Sequence, residues 1–193
     1  GGILEQFGKE LRFHRFLERV EYTIRGQLID NINALYGFTS IITLDFKELH
    51  LHEMLNELIE ALSKIVSIVQ AQVLYIPNRS DAHSDHRAVF SAIMACSKNF
   101  RYPFIEQILM CEVISETDFA PILGENTFSP NYFIDISEVF IKKIEILKMF
   151  GSELLPYPMT RNQSAIEALN RYRGTLINAE YAEAFMSIKT IVR

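Results

Sequence analysis

Two of the chain's five histidines, His83 and His86, fall within four residues and are flanked by Asp81 and Asp85. Imidazole and carboxylate side chains at this density suit metal ligation and proton transfer. If a helix begins between Asp81 and Ser84, the two rings stand three apart and point to nearly the same side. The positive end of the helix dipole disfavours imidazolium, so the rings stay neutral, as a metal ligand requires. Asp85 lies within reach of a neighbouring ring nitrogen and can fix its tautomer or strengthen it as a base. The plainer alternative is a helix capped by Asp81 or Ser84, with two solvated histidines in its first turn. An isolated His-x-x-His is more often that.

The elements around the pair favour chemistry. Gln72-Val73-Leu74-Tyr75-Ile76 is a short apolar run of strand formers, and Pro77-Asn78-Arg79-Ser80 signals a turn. Ala88-Val89-Phe90-Ser91-Ala92-Ile93-Met94 then has a helical pattern. Open α/β sheets place ligands where a strand's carboxyl end meets a loop and a helix N-terminus.

The string Asp81-Ala82-His83-Ser84-Asp85-His86-Arg87 after a buried strand resembles the second signature of the LmbE-like, or PIG-L, zinc de-N-acetylases. The resemblance implies that His86 is a zinc ligand. It implies that His83 is the catalytic imidazole, stabilising an oxyanion or donating a proton, with Asp85 as its partner. Asp81 matches the opening Asp of the string, and a supporting structural role is expected for it. Further similar wording follows in Pro130-Asn131-Tyr132-Phe133-Ile134-Asp135-Ile136-Ser137, Lys142-Lys143-Ile144-Glu145 and Ser152-Glu153-Leu154. Arg173-Gly174 and Tyr181-Ala182-Glu183-Ala184-Phe185 resemble the family's C-terminal helices, so the likeness spans roughly residues 30 to 190.

One departure is large. The family's first signature, Ala-His-Pro-Asp-Asp-Glu, supplies the other two zinc ligands and the general base, and this sequence does not contain it. Gly1-Gly2-Ile3-Leu4 resembles the glycine pair that comes soon after that signature. As read, the polypeptide holds half of a metal site.

Composition sets the outer bounds. At 193 residues, 49% apolar and 22% charged, the chain suits one soluble domain over residues 1–193. A net charge of −5 argues against nucleic acid as a partner, which usually meets a basic face. No apolar run approaches the ~20 residues that span a bilayer, and no signal peptide is visible. Cys96 and Cys111 lack paired spacing, so they read as small buried hydrophobes in a reducing, cytoplasmic setting.

In chain order, Phe13, Phe16, Leu17, Val20, Ile24, Leu28, Ile32 and Leu35 mark one stripe of a helix ending near Gly37. Thr39-Ser40-Ile41-Ile42-Thr43-Leu44 reads as a buried strand, and Asp45 to His52 as the loop leaving it. His50 and His52, two apart, would face one way on an extended segment and could bind an ion. His52-Glu53 equally looks like the entry to a helix from Met54 to Val69. A helix follows His86 to about Phe100, and Glu106 to Ile114 reads as a strand. Ser115 to Phe128, with Pro121 and Gly124, is a loop long enough to be a flap. Tyr132 to Ile136 is expected as a strand and Ser137 to Phe150 as a helix capped by Ser137. Leu155 to Arg161, with two prolines, is an extended connector. Two short helices, about Ala165 to Tyr172 and Asn178 to Ile188, would finish the chain. Arg161 is the expected contact for an anionic or hydroxylated part of a substrate, and a surface ion pair is its plain alternative. Glu183 and Arg173 are expected to brace the C-terminal helices.

Strands alternating with helices argue an α/β fold. The resemblance implies a Rossmann-like three-layer sandwich with a mostly parallel sheet, here lacking its opening β-α-β. Removing that central strand would expose two unpaired strand edges. Another segment would then replace it, or a second copy or partner chain would supply it, or the sequence is a truncated one.

The function implied is a Zn2+-dependent amidohydrolase that deacetylates an N-acetylglucosamine-type amino sugar or glycoconjugate. The competing class is a non-catalytic or partner-completed subunit. A nucleotide-binding Rossmann protein ranks below both, because Gly-x-Gly-x-x-Gly and its acidic ribose partner are missing.

Overall fold

Leu58, Leu62, Ile65 and Val66 recur at three and four residues and are all buried, so helix α1 (Leu55–Val69) presents one apolar face. It stops at Gln70, which takes the left-handed conformation and donates its N–H to Val66 O. The computed structural model describes residues 30–151 and 153–193. The chain continues through β1 (Val73–Pro77), α2 (Ser84–Ala95), β2 (Gln107–Cys111), a short 3-10 turn (Gly124–Asn126), β3 (Tyr132–Asp135), α3 (Phe140–Met149), α4 (Gln163–Thr175) and β4 (Ala182–Thr190).

The four strands form one open sheet in the order β1-β2-β4-β3. β1 and β2 are parallel, with Tyr75 opposite Leu109. β4 lies antiparallel to both of its neighbours, β2 and β3. The α/β class is as expected, but the described sheet is mixed instead of mostly parallel. The crossover from β1 to β2 runs through α2, as parallel neighbours require, whereas β4 returns from α4 by a tight turn and inserts the other way.

The core follows from strand alternation. Ile108 and Met110 join α1, α2, Leu74 and Ile76 in the main apolar cluster. Leu109, between them and fully buried, points to the other face of β2. A second cluster joins Ile136, Phe140, Ile144, Ile166 and Tyr181. Phe140 and Tyr181 stack there at 3.8 Å between ring centroids.

Several sequence expectations need correction. Residues 39–44 form no strand; Ile42 and Leu44 instead pack, part-buried, on the main cluster as irregular chain. A short apolar run satisfies burial in either state, so its composition does not choose between them. The final segment is the long strand β4 and not a helix over 178–188. Ala-Glu-Ala-Phe-Met favours helix locally, but pairing on both edges outweighs that preference. Ser137 does not cap α3, whose N-cap is Val139. Its hydroxyl donates to Asp135 Oδ1 at 2.6 Å, and with its own N–H holds that carboxyl below the usual range. The helix expected over residues 13–35 lies mostly outside the described residues. Residues 30–36 are helical and end at Gly37, whose φ is +71°.

The α4–β4 turn joins two elements that line the later site. A Cβ on Gly174 would lie 2.6 Å from Ala179 O and 2.9 Å from Glu180 O, both backbone atoms. Gly174→Ala is therefore expected to destabilise the fold by about 1–3 kcal/mol, the usual cost of forcing atoms into a packed site. A urea unfolding midpoint unchanged from wild type would contradict this.

Candidate functional site

The polypeptide between β1 and α2 is held by buried polar groups. Asn78, Ser80 and Asp81 are all buried, and Asp81 is 0% exposed. A buried carboxylate needs donors at both oxygens. Asp81 Oδ1 accepts from Asn78 Nδ2 at 3.0 Å and from the Thr117 hydroxyl at 2.8 Å. Its Oδ2 lies 2.8 Å from His86 Nδ1. Arg87 donates to the carbonyls of Asp81 and Ala82 at 2.6 and 2.7 Å, closing the turn from outside.

These bonds fix the two rings in opposite senses. A carboxylate only accepts, so His86 Nδ1 carries a hydrogen, and in the neutral ring Nε2 keeps its lone pair. His83 is the N-cap of α2, and its Nδ1 accepts from the Asp85 N–H at 3.2 Å. With Nδ1 accepting, the neutral His83 ring carries its hydrogen on Nε2. The rings stack 5.0 Å apart at 25°. One imidazole therefore offers a donor and its neighbour a lone pair. The plainer alternative puts the cap at Asp81 or Ser84, and His83 itself makes it.

Asp85 sits in the first turn of α2, where the helix dipole favours a carboxylate. Its two oxygens accept from the N–H groups of Leu49 and Leu51, at 3.0 and 3.3 Å. The 45–52 loop is thereby tied to the helix N-terminus. Leu49 takes a φ of +64° in that arrangement.

His83, Asp85 and His86 line a cavity of about 500 Å³. Apolar walls come from Leu44, Phe46, Leu51, Tyr75 and Phe185. The polar wall comes from the end of β2, α3, α4 and β4. There Arg173 grips Glu112 at two points, 3.0 and 2.5 Å. Lys143 Nζ donates to Glu183 at 2.6 Å and to Asn170 at 2.9 Å. Sequence reasoning did not single out Glu112, Lys143 or Asn170. It placed Arg173 and Glu183 as braces, and both also line the cavity. Two signals were available: Lys143 within the Lys142-Lys143-Ile144-Glu145 wording, and Glu112, a charge directly after an otherwise apolar strand.

Arg161 is not among the cavity's lining residues and pairs with Glu153. His50 and His52 both approach Glu53, at 2.9 and 3.8 Å, and neither lines the cavity. Hydrogen bonding from His50, with its nearby charge, holds the Glu53 carboxyl below its usual range. Cys96 is buried, and burial pushes its thiol up. Cys111 lines the cavity as a part-buried thiol.

A catalytic zinc site uses three protein ligands. Among the described residues no group of three or more His, Cys, Asp and Glu converges to hold a metal ion. His86 Nε2, backed by Asp81, has the chemistry of one such ligand. The described donor set does not amount to a metal centre.

No family model matches the chain. In fold it is similar to a conserved protein from Thermus thermophilus, TT1542, with a TM-score of 0.70 and 19% identity over 88% of this chain and 74% of that one. It is also similar to the N,N'-diacetylchitobiose deacetylase of Pyrococcus horikoshii, with a TM-score of 0.65, 19% identity and coverage of 86% and 64%. GalB, the 4-carboxy-2-hydroxymuconate hydratase of Pseudomonas putida KT2440, follows with a TM-score of 0.60, 15% identity and coverage of 93% and 78%. At these identities the likeness shows the fold, which a deacetylase and a hydratase share.

Proposed function

We propose that residues 1–193 belong to one domain of a zinc-dependent amidohydrolase that removes the acetyl group from an N-acetylglucosamine-type sugar or glycoconjugate. The observation that carries this reading is the stacked His83–His86 pair lining one cavity, whose hydrogen bonds leave a hydrogen on His83 Nε2 and a lone pair on the neutral His86 Nε2. Attack of water on an acetamide carbonyl builds negative charge on oxygen, and a preplaced donor stabilises it. His83 Nε2–H is that donor, and it can pass its proton to the departing amine. The products are acetate and a free amine.

His86 would hold one corner of the zinc ion. Its other ligands, and the base that activates the water, are not assigned to any described residue. The Glu112–Arg173 and Lys143–Glu183 pairs offer acceptors and donors side by side with little net charge, which suits a neutral, hydroxyl-rich ligand. Arg161 would reach substrate only on leaving Glu153. The reduced thiols Cys96 and Cys111 fit a cytoplasmic setting. Among the described residues no helix is long and apolar enough to cross a membrane.

A second reading is a non-catalytic subunit, or one completed by a second copy or a partner chain. It is favoured by the lack of a three-donor cluster among the described residues. Elemental analysis of the purified chain, with intact mass and acetate release from N,N'-diacetylchitobiose, separates the two. About one zinc per chain with acetate released supports the hydrolase, since a catalytic site binds a single ion through three ligands. Zinc-free protein that stays inactive when zinc is added overturns it for this chain alone.

A further inference from the structure

We propose that Thr117 is a positioning residue for His86, acting through Asp81. Thr117 lies in the turn that follows β2, a few positions beyond Glu112 of the cavity wall. A threonine hydroxyl has one hydrogen and two lone pairs. The Val113 N–H donates to Thr117 Oγ1 at 2.9 Å, so the acceptor side is engaged. The remaining hydrogen points at Asp81 Oδ1, 2.8 Å away.

Asp81 is thus held at three points. Asn78 and Thr117 saturate one oxygen and leave the other to His86 Nδ1. With Asp81 fully buried, water cannot replace a lost donor. The chain of bonds runs from the Val113 amide through Thr117 and Asp81 to the imidazole. It fixes which ring nitrogen of His86 carries hydrogen and where Nε2 points. The backbone bond from Ala82 N to Glu116 O, at 2.9 Å, keeps the two turns in register. This inference deepens the hydrolase reading and rests on it for its kinetic consequence only.

The test compares Thr117→Val with Thr117→Ser. Steady-state kinetics of acetate release from N,N'-diacetylchitobiose is one readout. The other is the ring-nitrogen pattern of His86 in protein labelled with 15N-histidine, its signals identified by their absence in His86→Gln. Thr117→Val is expected to lower kcat about 10- to 100-fold, the usual effect of removing a group that supports a ligand from behind, with KM unchanged. Its His86 pattern should move from the form protonated at Nδ1 toward a mixture of tautomers. Thr117→Ser, which keeps the hydroxyl, should restore both.

A Thr117→Val protein that keeps the wild-type His86 pattern overturns the proposal. So does a Thr117→Ser protein as impaired as Thr117→Val. If Thr117→Val does not fold, the wild-type spectrum decides, because His86 protonated at Nε2 overturns the proposal without any variant. If the wild type releases no acetate, the hydrolase reading fails and the ring-nitrogen readout still judges Thr117.

Discussion

His86→Ala is expected to leave the protein without bound zinc, whereas His83→Asn should keep zinc and lose turnover. The difference follows from the hydrogen bonds of the two rings. Asp81 takes the Nδ1 hydrogen of His86 and leaves a lone pair on Nε2, the form a metal ligand needs. His83 spends its Nδ1 lone pair on the α2 cap and keeps a donor on Nε2. Asparagine preserves the cap, since it is among the best N-cap residues, so lost activity is not confounded with a frayed helix. Removing the donor should cost about 10²- to 10³-fold in kcat, the range seen for a single oxyanion donor. Zinc measured on each purified variant, beside its kcat, checks both. Zinc at full occupancy in His86→Ala would remove that residue from the ligand set. A bell-shaped pH profile unchanged in His83→Asn would remove His83 from the proton transfer.

Arg173→Leu should be the most damaging substitution in the polar wall. Arg173 and Glu112 are only 15% and 11% exposed, and their two-point contact satisfies both charges. Taking away one partner strands the other charge in a poorly hydrated place, at about 3–5 kcal/mol. Replacing both, as Glu112→Gln with Arg173→Leu, should recover much of that loss, because the pair's attraction is largely offset by its desolvation. Urea unfolding of the two single variants and the double gives the coupling directly. Single variants whose effects simply add would mean that the charges do not depend on one another. The double variant should still bind an acetamido sugar more weakly, since the wall loses its charged hydroxyl partners.

Much of the site could be read without coordinates because its chemistry is local. Asp81, His83, Asp85 and His86 lie within six residues, and a helix beginning there must bring the two rings to one side. α1, α2, β1 and β2 were legible for a related reason, since their apolar periodicity is set by the elements' own geometry. The tertiary structure decided what depends on distant partners. The carboxylate of Asp85 binds the amides of Leu49 and Leu51, 36 and 34 positions away. The fold also placed Glu112 against Arg173, 61 positions apart, and Lys143 against Glu183, 40 apart. β4 is the clearest case. Its residues prefer helix in isolation, and only the open edges of β2 and β3 supply the hydrogen bonds that make it a strand. The sequence alone determined that Asp81, His83, Asp85 and His86 cluster, because neighbouring residues share a helix turn. The polar wall of the cavity was decided by tertiary structure, because no local rule links residues that meet only after the sheet has formed.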